Sequence, residues 1–508
     1  MHSNNLGIID LFCEIATQYP YTDAVISNEK RLTYQKLDYK SSMLAYYLSS
    51  QGVDQSSVIG LCTRRSIESV IGILAILKIG AVYVPLDPSL PSERISAMVE
   101  LVCIDMVLLD ETCYNTTYLP AFGKTSIAFI NEGCELGESN NTNRFLLSTN
   151  SRIVFFTSGS TGIPKGAILT EESYINNFKN IQNLVQFKPG SKVAAMASLS
   201  FDISLTEILQ PLLYGATIYI VSEEIKKNPW KLSILIKDNE INVLQFVPSF
   251  FRQFLLAVNS QGYPSVEKLL FIGEMLQSDL VRKWFFYENN KGCEIINLYG
   301  PIESAIEVTS YVVNSSMALS TKSVPIGRPF HGIDIFLLDE NKDPVNIGTK
   351  GQLCISGKQL AEGYLDKKQT EERFILWNNK RLYLTGDLAY EQQDGNLVFV
   401  GRVDNQVKIR GYRVELEELE VVLTSHEKVY EAVAMVIDRG IERILIVAVV
   451  SQDEDKEYIL NFLRTKLPQY MLPNEIIFFS VLPKTINGKI DRKRVRFICE
   501  KRLNICQN

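Results

Sequence analysis

Hydroxyls, glycines and a lysine are concentrated in one short stretch of this chain, FFTSGSTGIPKGAILT at 155–170. An apolar run leads into Thr157, Ser158, Gly159, Ser160, Thr161 and Gly162, and Pro164, Lys165 and Gly166 follow. Backbone N–H groups freed around glycines, with hydroxyls and a lysine beside them, are the donors a polyphosphate needs. The stretch is not a Walker-type P-loop. That loop places Ser or Thr directly after Gly-Lys, whereas Lys165 precedes Gly166 and Ala167. A flexible Ser/Gly turn is the plainer alternative, and the ordered Pro-Lys-Gly ending argues against it. Other chemistries have little to build on. The 3 histidines are His2, His331 and His426, so a Ser-His-Asp hydrolase or a His-rich metal centre would have to use one of them. The 9 cysteines are scattered without a CxxC pair. That leaves no readable disulfide framework or zinc ribbon and favours a reducing compartment.

The elements that must carry such a loop are legible in the hydrophobic pattern. VIGLCT at 58–63 reads as a buried strand, 66–80 as an apolar helix ending at Gly80, AVYVPLD as a further strand, and PSERISAMVELV as a helix with Pro at its start. The alternation continues through RIVFFT, VAAMAS with a following helix, and TIYIVS, and predicts a parallel sheet covered by helices. After about 320 the runs shorten and Gly, Asp and Asn turns intervene (IDIFLLDENKDPVNIGTKGQLCISG, RLYLTGDLAYEQQDGNLVFVGR), as in antiparallel hairpins. From about 404 a compact tail mixes helix (ELEELEVVLTSH) with strand (EAVAMVIDR, RILIVAVVS). The chain of 508 residues is long enough for about two to four domains of roughly 150 residues. We place the boundary in GRVDNQVKIRGYR, giving domains 1–403 and 404–508. A net charge of −6 excludes polyanion binding by bulk electrostatics and leaves only a local basic groove open; no nucleic-acid partner is expected. The start carries Asp10 and Glu14 within its apolar stretch and no basic region before it, unlike a targeting signal. The most apolar segment, 70–77, is interrupted by Lys78 far short of a membrane span. The expectation is a cytoplasmic protein without a membrane partner.

The order of these segments resembles the adenylate-forming superfamily, and within it the amino-acid adenylation domains of nonribosomal peptide synthesis and their free-standing relatives. The resemblance runs from 10 to 495: LTYQKL, LKIGAVYVPLDPSLPSERI, the 155–170 loop, SFDISLTEI, NLYGPIES, GQLCISG, AEGYLDKKQTEERF, YLTGD, GRVDNQVKIRGYRVELEELE, LPQYMLP and NGKIDR. It implies a large N-terminal domain of helix-covered sheets with a distorted β-barrel, and a small mobile α+β C-terminal domain. It also implies ATP and Mg²⁺. The loop with Lys165 would hold the β- and γ-phosphates, and Glu303 would ligate Mg²⁺. Tyr299 would stack on adenine beside Gly300, Asn297 would bond its amino edge, and Gly273 and Glu274 would lie alongside. Asp387 would accept the ribose hydroxyls with Arg402 nearby, and Lys489 would bridge the substrate carboxylate and the α-phosphate. Such groups suit the reaction, because two anions must meet while pyrophosphate departs. Asp404 would be the hinge on which the small domain turns between half-reactions, and Gly411 would lie in the loop that serves the second one.

The same resemblance implies an amino-acid substrate, because Asp202 of the Phe201-Asp202 pair stands where the α-ammonium is bound. A buried carboxylate needs a cationic partner, and the substrate would supply it. Ile203, Thr206, Gln245, Leu270, Ile272, Leu298, Ile306 and Glu307 would line the side-chain pocket. Ile272 and Leu298 leave little depth, which disfavours aromatic side chains and favours proline or another compact one. Glu307 would pair with a basic side chain, supplement Asp202 around a secondary ammonium, or turn to solvent. Two departures from the family pattern are Ile302 for the usual Thr and Glu171 for the usual His; an active enzyme is still expected. No condensation motif and no phosphopantetheine-attachment motif is present, so the expected acceptor is a phosphopantetheinylated carrier protein in trans. A D-alanine–carrier protein ligase and an acyl- or aryl-CoA ligase of the same fold are the alternatives.

Overall fold

The computed structural model describes residues 6–113, 119–135, 152–159, 164–258, 261–317, 322–404, 406–439, 442–485 and 490–504. They form two compact units. The first comprises Met1–Pro88, Val99–Phe156 and Gly166–Val403, and the second Ser89–Met98, Thr157–Lys165 and Asp404–Asn508. The sequence boundary at 404 thus opens the long segment of the second unit, and two short upstream segments join it. Inside that unit Ser158 donates to the carbonyl of Arg413 at 2.9 Å, and buried Glu418 pairs with Arg94 at 2.7 Å.

The first unit is built on three sheets. In a nine-stranded sheet, Glu294–Tyr299, Lys268–Phe271, Val243–Phe246, Lys192–Ala195, Thr217–Ile220 and Asp23–Ser27 run parallel, with antiparallel strands at both edges. Side chains alternate between its faces as strand geometry dictates. Leu244, Phe246, Leu269, Phe271 and Ile295 pack into an aromatic cluster with Phe251 and Trp284, and Val243, Leu270, Ile296 and Leu298 face the larger core. In a seven-stranded sheet, Arg152–Thr157, Val82–Leu86, Val58–Cys62, Met106–Leu109 and Ser126–Phe129 are parallel. Helix Ile67–Ile79, capped by Ser66 and ending at Gly80, is buried along its length, so its apolar residues run all round it. The hairpin region, the part expected as a distorted barrel, forms an antiparallel sheet of Ile333–Leu338, Gly351–Gly357, Lys380–Glu391, Phe374–Trp377 and Leu397–Arg402.

One local expectation is corrected. The 155–170 stretch is not loop throughout, because Lys165–Thr170, with Gly166 in it, is a strand whose Ala167 and Ile168 pair with Tyr364 and Gly363. In the second unit, strands Val429–Arg439, Glu442–Ser451 and Glu475–Phe478 form a sheet with helices Leu416–Thr424, Lys456–Lys466 and Arg492–Arg502. This is the α+β composition that its mixed periodicity predicts.

Candidate active site

The C-terminal ends of parallel strands are the usual ligand position in open α/β sheets, and the first cluster of chemistry-bearing residues lies at one of them. Strand Glu294–Tyr299 carries Asn297, Leu298 and Tyr299 and runs into Gly300 and the short turn Ile302–Ser304. A side chain at Gly300 is excluded, since a Cβ would lie 2.0 Å from the Ile306 carbonyl oxygen. Glu303 is buried and accepts a 2.6 Å hydrogen bond from the Tyr364 hydroxyl, which is 3.4 Å from that of Tyr383. Among the described residues no group of three or more His, Cys, Asp or Glu could hold a metal by itself. A single buried carboxylate is nonetheless a fitting donor for Mg²⁺, which commonly takes one or two carboxylates and completes its shell with substrate phosphates and water.

Asp387, in strand Lys380–Glu391, is the centre of a second cluster. Its Oδ2 accepts from the Tyr299 hydroxyl at 2.6 Å, and its Oδ1 accepts from Arg402 Nη1. Its backbone N–H donates to Thr385 Oγ1 at 2.9 Å. Burial, then the neighbouring Asp387 charge, hold the Tyr299 hydroxyl far above its ordinary pKa, so it stays a donor. Asn297 donates through Nδ2 to the Pro325 carbonyl at 2.7 Å, which fixes its amide. Gly273 sits at φ +90°, and Glu274 accepts from Ser249 N and Oγ at 2.8 and 3.1 Å.

The third cluster is the expected substrate pocket. Asp202 heads helix Ile203–Leu212, accepting from the Ile203 N–H at 3.0 Å. Thr206, one turn on, donates to the Ile203 carbonyl at 2.8 Å and lies 3.3 Å from Gln245 Oε1. Gln245 is in register with Leu270, and Leu270 with Ile296, while Ile272 follows directly on its strand. Ala305 and Ile306 both have left-handed backbones, φ 51° and 74°, which is unfavourable for a β-branched residue. Gln359 Nε2 braces that turn from the carbonyls of Ser304 and Glu307 at 3.2 and 2.7 Å. Glu307 is fully buried rather than turned to solvent. Its Oε2 accepts from Asn177 Nδ2 at 2.9 Å, and its Oε1 has no partner. Burial first, with the nearby Asp202 charge adding to it, pushes its carboxyl up to about 8, against the pull of Asn177.

The remaining expected site residues belong to the second unit or lie outside the described residues. Thr157 ends its strand, Ser158 and Gly159 follow, and Lys165 opens the next strand. Asp404 begins the long segment. Arg410 and Gly411, at φ 51° and 81°, form the two-residue turn joining Val407–Ile409 to Tyr412–Val414, the double positive φ that such hairpins require. Ser160, Thr161, Gly162 and Lys489 lie outside the described residues. Glu171 accepts from the Ile8 N–H at 2.6 Å, tying helix Glu171–Val185 to the start of helix Ile8–Gln18. The sequence reading passed over Tyr364, Gln359, Tyr174 and Asn177. A signal existed for the last: Tyr174, Asn177, Phe178 and Ile181 share the buried stripe of one helix, where an asparagine is out of place.

Comparison with known proteins agrees with this architecture. Residues 12–365 match the family model for AMP-binding enzymes, and residues 418–489 that for the AMP-binding enzyme C-terminal domain. The chain therefore belongs to the AMP-binding enzyme family, of the adenylate-forming superfamily. Within it, the chain falls with the adenylation domains of nonribosomal peptide synthetases. It is 33% identical over 503 residues to gramicidin S synthase 2 of Aneurinibacillus migulanus, a match covering 97% of this chain and 11% of that protein. The chain thus spans a small part of that much longer relative. It is also 33% identical over 492 residues to zwittermicin A synthase ZmaJ of Bacillus cereus, covering 95% of this chain and 93% of that one. Among solved structures, the Vibrio cholerae adenylation domain AlmE in complex with glycyl-adenosine-5'-phosphate shares the fold at a TM-score of 0.82. Its identity is 22%, with 98% of this chain and 99% of that chain covered. Among the described residues no helix is long and apolar enough to cross a membrane.

Proposed function

We propose that this protein joins ATP and a compact amino acid into aminoacyl-AMP, releasing pyrophosphate, and then loads the aminoacyl group onto the phosphopantetheine thiol of a separate carrier protein. The observation that carries the reading is Asp202, a buried carboxylate at the head of a helix beside a mostly apolar pocket. A buried carboxylate there suits a substrate that brings an ammonium group and offers a fatty or aryl acid nothing to bind. In the first step a substrate carboxylate oxygen forms a bond to the α-phosphorus as the bond to the bridging β-phosphate oxygen breaks. In the second, the carrier sulfur forms a bond to the acyl carbon and AMP leaves.

The roles follow from the resemblance and from the contacts described. Asp202 binds the α-ammonium. Asp387, held by Tyr299 and Arg402, receives the ribose hydroxyls, and Tyr299 with Gly300, Asn297, Gly273 and Glu274 surrounds adenine. The 157–162 loop and Lys165 bind the phosphates, and Lys489 bridges carboxylate and α-phosphate. Glu303 would hold Mg²⁺, which when bound supplies charge neutralisation at the phosphates. Asp404 serves as the hinge and Gly411 as part of the loop for the second step. The walls Ile203, Leu270, Ile272 and Leu298 favour proline or another short side chain.

The test is amino-acid-dependent ATP–pyrophosphate exchange across the proteinogenic acids with D-alanine and ornithine added. A strong response to one amino acid, lost in Lys489→Ala, supports the reading. A D-alanine response points to the cell-wall type of carrier ligase. Silence, with exchange restored by aryl or fatty acids, replaces it with the acyl-CoA ligase alternative.

A further inference from the structure

Resting on that reading, we infer that the activated amino acid carries a second cationic nitrogen at the end of a short side chain, and that Glu307 receives it with the help of Asn177. Four polar groups around Glu307 lack hydrogen-bond partners: Glu307 Oε1, Asn177 Oδ1, Gln245 Nε2 and the Tyr174 hydroxyl. All four residues are buried, and Asn177 touches Glu307 directly. The amide of Gln245 lies near the carboxyl, short of a hydrogen bond. Buried polar groups are normally satisfied, so a cluster this incomplete is expected to be completed by a ligand. Asn177 Oδ1 only accepts hydrogen bonds, and so does Glu307 Oε1 once a cation beside it draws off the carboxyl proton; an ammonium only donates them.

The charge count points the same way. Asp202 lies near enough to Glu307 for its charge to raise the Glu307 carboxyl. The strongest influences on the Glu307 carboxyl are burial, Asn177, Asp202 and Gln245, and none of these is a cation. The substrate's α-ammonium offsets Asp202 and leaves Glu307, whose carboxyl ionises readily only beside a second cation. Proline, which the apolar walls alone favour, brings a single positive charge. A diamino acid brings two. The bulk of Ile272 and Leu298 sets the length, so the second nitrogen sits on a stem of one to three methylenes, as in 2,3-diaminopropionate, 2,4-diaminobutyrate and ornithine.

The experiment is pyrophosphate exchange by the full chain with those three acids, against norvaline, homoserine and proline. The expected result is a preference of about 100-fold or more for one diamino acid over norvaline, since a buried acceptor left unpaired penalises the apolar analogue. In Glu307→Gln that ratio should fall by about tenfold or more. Asn177→Leu should lower it as well, so that the inference does not rest on the folding of one variant. A wild-type preference for proline, norvaline or homoserine overturns the inference and leaves amino-acid activation standing. So does a diamino-acid preference unmoved in both variants. Exchange with no amino acid at all overturns this inference together with the reading it rests on.

Discussion

Glu307 is a carboxyl group kept from water, with one oxygen bonded and one not, and its proton is the most readily tested property of the pocket. Its folded-state pKa of about 8 lies above the ordinary 4.5, so between those values the native state keeps a proton that the unfolded chain has lost. Stability linked to this group is therefore fully present below the unfolded value and is lost as pH rises through the folded one, at up to about 1.4 kcal/mol per pH unit. The groups acting on it are Asp202, which raises its pKa further, and the neutral amides of Asn177 and Gln245, which lower it. Glu307→Gln removes the titration. The melting temperature of the variant relative to wild type should rise between about pH 5.5 and about pH 8.5 in the absence of substrate; a difference that does not vary with pH contradicts the assignment. At the nucleotide end, Tyr299→Phe strips Asp387 of one donor. We expect a higher KM for ATP with a smaller change in kcat, equivalent to about 1–3 kcal/mol of lost binding. A fall in kcat with KM unchanged would mean that the hydroxyl acts in the transition state instead.

At the scale of elements, the turn from Gly300 to Glu307 does more for the site than any helix or strand alone. It places Glu303 and Glu307 four residues apart, one bonded to Tyr364 and the other to Asn177. Gln359 holds it through backbone carbonyls. Gln359→Leu would leave those carbonyls buried without a donor, and a loss of about 2–3 kcal/mol in denaturant unfolding is expected. The KM for the amino acid should rise more than that for ATP. An unchanged unfolding midpoint would show that water or the backbone replaces the amide. This turn also marks where sequence reading stops. Strands such as Val58–Cys62 and the helix Ile67–Ile79 are legible because burial repeats with their period. Ala305 and Ile306 are opaque, because neither residue type favours the left-handed backbone it adopts, and only tertiary bracing imposes it. Lys165–Thr170 hid for a related reason. Its N-terminal half reads as loop chemistry, and its strand identity comes from pairing with Gly363 and Tyr364, nearly two hundred residues away. Asn177 was visible as an oddity, but its partner Glu307 follows from topology alone.

For the molecule as a whole, the proposed reaction has two transfers in succession, adenylyl to the substrate carboxylate and then acyl to a thiol, and the chain divides into two compact units. Asp404 opens the long segment of the second unit, and its proposed role as a hinge requires freedom in φ. Asp404→Pro removes most of it. Pyrophosphate exchange should persist while carrier loading drops by about tenfold or more. Parallel losses in both would place Asp404 in the first step and not in the change between steps.

The left-handed pair at 305 and 306 has a consequence for anyone wishing to redirect this protein to another building block. Backbone strain of this kind costs about 1–3 kcal/mol per residue, but Ile306 is buried in the larger core and stripping its side chain costs about 2–5 kcal/mol. Ile306→Gly should therefore give a less heat-resistant protein whose pocket wall is softer and whose choice of acid is looser. Position 307 carries no such burden of geometry. Its side chain can be exchanged without reshaping the chain, which makes it the natural place for new selectivity to arise, while 306 sets how sharply that selectivity is enforced.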